Sequence, residues 1–337
     1  VWAIGPTGIL FRLSETGCMS SALGTIVSAI VPILLILTAG FLLNRIRGID
    51  PGPLNTLSLF VLTPALVIHS IALTDLETGA LVKVTVGVGA FLAGVLAVSW
   101  LYGVLTGKEG AVLNGFLLVT AFGNAGALGI PLADFAYGDV GRQVAVLFAA
   151  VHGALVFTLG LFIALGSGDD GGDVVTKRVF RYPLVYAVAL TVLARVGGVV
   201  PEAGSPLMET LGLVGEASIP VMLLVLGVQL SETEYYGALS MTVIPTLFRF
   251  VVSPLVGLAV ALTLGFQEPV VGRVFVLLTA MPAAVAPVIF VGEVAGDTTV
   301  GGVTLPEFVS ATVFVTTLAS IPLLGVVITL LQTGVLI

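Results

Sequence analysis

Apolar residues run along this chain in long blocks rather than at the spacing of one helix face or one strand face. "VGAFLAGVLAVSWLYGVL" (88–105) is apolar all round, as befits a helix with no side turned to water. Crossing a bilayer takes roughly 20 consecutive apolar residues. About ten stretches qualify, near 24–43, 54–73, 84–106, 111–136, 143–166, 183–200, 207–230, 238–264, 270–294 and 308–335. A membrane barrel would instead show segments of about ten residues alternating apolar and polar, a pattern the sequence lacks. The pattern predicts an all-α polytopic membrane protein.

Polar residues punctuate the pattern most heavily at "GSGDDGGDVVTKRVFRY" (166–182), which leaves five predicted spans on each side. The expected organisation is an N-terminal extension over 1–23, a five-helix unit over 24–167, a loop over 168–182 and a second five-helix unit over 183–337. An odd number of spans per unit turns a second copy upside down, and inverted repeats of this kind are typical of secondary transporters. Pro64 and Pro220 are 156 residues apart, as are Pro131 and Pro287, and both pairs link span n to span n+5. With the N-terminus outside, the inner loops carry Arg45, Arg47, Lys108, Lys177, Arg178 and Arg181, and the outer segments carry Arg12, Lys83, Arg142, Arg195 and Arg273. That bias places 168–182 in the cytoplasm and the chain in the plasma membrane, multi-pass, with its N-terminus outside. Residues 1–18 lack a basic start and an A-x-A cleavage site. They read as an upstream extension or a short interfacial segment.

Composition sharpens the class. The chain is 58% hydrophobic and 9% charged, where a soluble domain carries about 25% charged residues. Nineteen acids against 12 bases give a net charge of −7, which argues against nucleic acid as a partner. The single cysteine, Cys18, excludes an intrachain disulfide framework. The two histidines and scattered acids have no metal-ligand spacing, and P-loop, GxSxG and HExxH motifs are missing, so neither cofactor nor enzyme is implied.

Inside the fourth span, "AFGNAGALGIPLADFAYG" (121–138) packs Gly123, Asn124, Gly126, Gly129 and Pro131 into nine residues. The ninth span answers with Pro282 and Pro287, Met281 standing beside the first. A helical proline costs about 3 kcal/mol or more, and the backbone groups it frees are tolerated at membrane depth only when buried in protein or facing a watery cavity. Two such interruptions suggest broken helices crossing near the bilayer midplane, with half-helix N-termini near 126–131 and 282–287. Their free N–H groups and partial positive charge suit a small carboxylate. Glycine permits close backbone approach, and Asn124 adds amide donors. The candidate substrate-binding residues are Asn124, Gly126, Gly129, Pro131, Met281, Pro282 and Pro287. The competing reading takes these glycines and prolines as packing and kink residues.

Other intramembrane polar groups are candidates by position. His69 and His152 fit either proton coupling or a neutral histidine bonded to a neighbouring helix. Asp134 and Glu293 follow the two interruptions and read as cation or proton sites, or as caps of the cavity mouths. Arg249 either snorkels to the inner interface or pairs with Glu209 or Glu216.

These stretches together resemble the auxin efflux carrier family, of the bile acid, auxin and arsenite transporter superfamily. "GNAGALGIPLADFAYG" (123–138) matches the family's G-N-x-G-x-x-G-x-P run. Residues 182–230, "RFVVSPL" (249–255), "AMPAAVAPV" (280–288) and "TTLASIPLLG" (316–325) fall where the family has similar stretches. The resemblance implies ten transmembrane helices in two inverted five-helix repeats with broken, crossing helices 4 and 9. It also implies transport of small organic anions, with Asn124 as the crossover asparagine, and a homodimer is compatible with it. Two departures stand out: Tyr182-Pro183 replaces the expected Asn-Pro, and the central loop is short. The resulting expectation is a secondary transporter for a small organic anion. A sodium-coupled symporter of the same superfamily is the alternative, ahead of a channel or an intramembrane enzyme.

Overall fold

A computed structural model describes residues 2–4, 10–12, 16–74, 76–165, 183–232, 238–295, 298–334 and 337. The predicted loop at 168–182, Tyr182 and the Glu293 side chain lie outside the described residues. Within them the chain is nearly all helical. In order come α1 (Thr16–Arg47), α2 (Pro51–Ala72), α3 (Thr78–Leu105), α4 (Gly110–Ala121), α5 (Ala125–Leu165) and α6 (Pro183–Val196). After them come α7 (Pro206–Ser231), α8 (Leu239–Leu264), α9 (Pro269–Thr279), α10 (Ala286–Ala295) and α11 (Leu305–Gln332). Two antiparallel hairpins complete the described structure: β1 (Trp2–Ile4) with β2 (Leu10–Arg12), and β3 (Thr299–Val300) with β4 (Val303–Thr304). Among the described residues six helices, namely α2, α3, α5, α7, α8 and α11, are long and apolar enough to cross a membrane.

At 41 residues, α5 would measure about 60 Å if straight, twice the hydrocarbon core. It is not straight. Gly138 adopts φ 64° and ψ −151°, a backbone state suited to glycine. The chain doubles back there, so that a Cβ on Gly141 would collide with the carbonyl of Ala133, eight residues earlier. Apolar length predicts two spans here, over 111–136 and 143–166, and the reversal at Gly138 falls between them.

Three prolines inside the long helices each follow a widened π turn. Ser58–Leu62 precedes Pro64, Ala125–Gly129 precedes Pro131, and Phe248–Val252 precedes Pro254. A proline cannot donate to the carbonyl four residues back and pushes against it, and a turn widened by one residue moves that carbonyl aside. π turns of this kind recur at functional sites. Here they carry Ser58, Asn124 as cap, and Arg249.

Close packing relies on small residues, as expected where lipid offers no hydrophobic drive between helices. Along the α1–α7 contact, a Cβ on Gly40 would collide with the Leu224 carbonyl, and one on Gly227 with the Leu37 carbonyl. The core centres on α3, α4, α5 and α9, where Phe148 meets Phe275 edge-on at 5.4 Å and Phe91 at 6.4 Å. The outward faces keep large apolar side chains, such as Leu105, Val196 and Leu213, exposed. That surface suits lipid rather than water. The first helix begins at Thr16, well before the apolar run at 24, because the stretch "TGCMSSAL" continues it without a break.

Candidate functional site

The two interrupted segments meet. Between α4 and α5 the backbone leaves the helix at Phe122–Asn124, and between α9 and α10 at 280–285. Gly123 and Ala283 form an isolated antiparallel bridge. The Asn124 amide donates to the Pro282 carbonyl at 2.7 Å, and the Ala284 amide donates to the Phe122 carbonyl at 2.9 Å. The Ala283 amide donates to Thr316 Oγ1 of α11 at 3.1 Å. Backbone groups that lose their helical partners at one break are thus satisfied by the other, which is what an apolar surrounding demands.

Four helix ends converge here, sorted by sign. On one side lie the N-terminal ends of α5 and α10. Asn124 caps α5: its Oδ1 accepts from the Ala127 amide at 3.1 Å, and its carbonyl accepts from the Gly129 amide at 3.1 Å, closing the π turn. On the other side lie the C-terminal ends of α4 and α9, where Arg249 collects the last carbonyls of α4 and that of Met281, two residues past α9. Its Nη1 donates to Thr120 O at 2.9 Å and Ala121 O at 3.2 Å, its Nε donates to Met281 O at 2.9 Å, and its Nη2 also donates to Met281 O. Ser253 Oγ lies 3.4 Å from Nη1. The guanidinium is fully buried, at 0% exposure. Gly123 makes room for it, because any Cβ there would strike Nη2.

A cavity of about 300 Å³ opens on the N-terminal side. Gly123, Asn124, Gly126 and Ala127 line it from the first break, and Ala284, Val285 and Ala286 from the second, with α2, α5 and α7 forming the remaining walls. Its polar groups include Asn55, Ser58, Asn124, His152 and Gln229. Ser58 is 4% exposed and its hydroxyl has no hydrogen-bond partner. A buried orphan hydroxyl costs about 1–3 kcal/mol, so one on a cavity wall marks a place for a ligand acceptor or donor. His152 stacks on Phe148 at 5.8 Å and meets Phe122 edge-on at 5.9 Å, which fixes its ring against the wall.

The sequence profile of the membrane transport protein family, an auxin efflux carrier-like family, matches residues 25–172 and 171–328. The chain belongs to this family. It is 26% identical over 313 residues to an "uncharacterized transporter" of Methanothermobacter thermautotrophicus, covering 90% of this chain and 97% of that protein. It is 27% identical over 177 residues to another "uncharacterized transporter", from Methanocaldococcus jannaschii, covering 51% of this chain and 56% of that protein. The family makes it a multi-pass membrane transporter.

In this transporter the residues singled out from sequence divide into groups. Asn124, Gly126 and His152 line the cavity. Gly129 and Met281 pack together behind it, a Cβ on Gly129 falling 3.4 Å from Met281 Cγ. Pro282 serves through its carbonyl, and Pro287 sits in the first turn of α10. Pro131 lies inside the helical stretch, past the π turn; the interruption falls at 122–124, and the half-helix begins at Ala125, beside the 126–131 expected for its N-terminus. The π turn, rather than an open break, accommodates the missing N–H. His69 stands off the cavity, its Nε2 3.0 Å from where a Cβ on Gly212 would lie. Asp134 is half-exposed and 4.0 Å from Arg142, which also bonds Asp139 at 2.7 Å.

Arg249 neither snorkels nor meets Glu209 or Glu216. Both glutamates are exposed on α7, while the π turn of α8 aims the arginine inward. Sequence reading also missed Ser58. The signal for both was the proline two residues beyond each π turn, which sets the preceding turn apart from an ordinary helix.

Proposed function

We propose that the protein is a secondary transporter, an efflux carrier or permease, that moves a small organic anion such as a carboxylate by alternating access. The observation that carries this reading is the convergence of two half-helix N-termini, Asn124 and an unpartnered Ser58 hydroxyl on one cavity. Such an assembly offers oriented N–H donors and partial positive charge, and no acid is among the described residues that line it. In this reading α4 with residues 125–137 makes one crossing, residues 139–165 the next, and α9 with α10 a later one. That yields ten crossings arranged as two inverted five-helix halves in the plasma membrane. Asn124 and Gly126 contact the carboxylate, and Ser58 and His152 bound its other end. The sodium-coupled alternative draws no support from Asp134, which is paired with Arg142 away from the cavity.

The test is counterflow in proteoliposomes with labelled malate and, separately, labelled lactate. Each is run against unlabelled mono- and dicarboxylates, with and without sodium, beside Asn124→Ala. Accumulation that the substitution abolishes supports the reading. Folded protein that accumulates neither acid, or accumulates both equally well without Asn124, overturns it.

A further inference from the structure

The charge at the crossover has a consequence for which anion enters. An α-helix carries the equivalent of roughly half a positive charge at its N-terminus and half a negative charge at its C-terminus. Two C-terminal ends therefore present about one negative charge at the crossover, and two N-terminal ends about one positive charge. Left alone, the four ends would largely cancel across so short a distance. Arg249 prevents this. Its guanidinium occupies the C-terminal side, bonded to the carbonyls of Thr120, Ala121 and Met281, and among the described residues the ion pairs formed are those of Arg142 alone. The arginine meets the negative side, and the positive ends face the cavity, that of α5 capped only by the neutral Asn124 side chain.

We propose that Arg249 is a specificity-determining residue that never touches the substrate: fixed behind Gly123, it leaves the cavity with close to one unit of positive charge and so selects a monoanion. This rests on the reading of the cavity as an anion site, and it commits that site to one class of anion. A neutral isostere would leave the positive charge unmet. A dianion would bring in a second negative charge with no cationic side chain among the described lining residues to neutralise it, and burying an unpaired charge is costly. Gly123 is the residue that lets the guanidinium stand directly behind the wall, since the side-chain space at that position is taken by Nη2.

The experiment is ligand-induced thermal stabilisation of the purified full-length protein in detergent, which avoids the membrane permeation of weak acids. Two matched series serve as probes at neutral pH: butyrate, succinate and butyramide, and benzoate, terephthalate and benzamide. In the wild type the monoanion of at least one series is expected to bind about tenfold or more tighter than its dianionic and neutral partners, the scale of one partly screened terminal charge. Arg249→Lys should keep that order. Arg249→Met, matched in length and without charge, should bring the preference close to parity. The selectivity ratio is read rather than affinity alone, because a purely structural arginine would change affinity for all probes together. Since the methionine variant orphans several carbonyls and can fail to fold, the wild-type series stands as an independent arm. Dianions binding as well as monoanions, or a folded Arg249→Met with the wild-type preference, overturns this proposal and leaves the anion site standing. Neutral probes alone binding, with no anion in either series, overturns both.

Discussion

The backbone amide of Asn124 donates to the carbonyl of Pro282 at 2.7 Å, joining residues 158 positions apart at the point where both helices are interrupted. The same asparagine turns its side-chain oxygen to the Ala127 amide. Its backbone therefore holds the two breaks together while its side chain caps the helix that faces the cavity. Substitution separates these roles, since every residue but proline keeps the N–H that makes the backbone bond.

Asn124→Asp keeps a good N-cap but places a carboxylate at the anion site. The expected outcome is a protein within about 1 kcal/mol of wild-type stability that no longer accumulates anions. Asn124→Ala should lose about 1 kcal/mol with the cap and weaken transport as well. Thermal unfolding in detergent, paired with counterflow, reads both quantities. Retained anion transport by the aspartate variant would remove Asn124 from the site.

Gly123→Ala tests the contact between wall and guanidinium. The added methyl meets Arg249 Nη2 and lies 3.4 Å from the Met281 carbonyl, so either the arginine or the bridge to Ala283 must shift. Overpacking of this kind costs about 1–3 kcal/mol. A lowered Tm, with transport reduced in step, is expected. An unchanged Tm would mean that the crossover is looser than these distances indicate.

Much of this arrangement was legible in the sequence, for physical reasons that vary by element. The polytopic helical class followed from apolar length, which the bilayer sets. The interrupted fourth segment showed itself in Gly123, Asn124 and Gly126, because glycine and asparagine next to each other are out of place in a buried helix. Pro131 itself carries less information, because the π turn at Ala125–Gly129 accommodates it within the helix. Arg249 was placed wrongly because its partners are carbonyls 129 and 32 residues away. Every residue offers a carbonyl, so a carbonyl partner leaves no trace in sequence, whereas the acidic partners considered, Glu209 and Glu216, were merely the visible ones.

Ser58→Ala should move stability and binding in opposite directions. The hydroxyl is buried and lacks a partner, so its removal relieves a desolvation cost, and the protein is expected to gain up to about 1 kcal/mol. If the hydroxyl bonds the substrate, anion affinity falls by about tenfold, the equivalent of one such bond. Thermal unfolding with and without ligand gives both signs in one measurement. A loss of stability in the ligand-free protein would show that Ser58 has a partner of its own.

Asp134→Asn addresses coupling. Asp134 stands 4.0 Å from Arg142 with both side chains 27% exposed, and Arg142 keeps its shorter bond to Asp139 after the change. Pairs this exposed contribute about 0–1 kcal/mol, so the Tm should move little. The pair spans the reversal at Gly138 rather than the cavity, so on the proposed reading the aspartate braces the chain where it doubles back. Counterflow by Asp134→Asn should accordingly retain most of the wild-type rate and respond to sodium and to pH as the wild type does. If the substitution abolished transport, or made a sodium-stimulated rate insensitive to sodium, Asp134 would have to be reassigned from the turn to the coupling machinery.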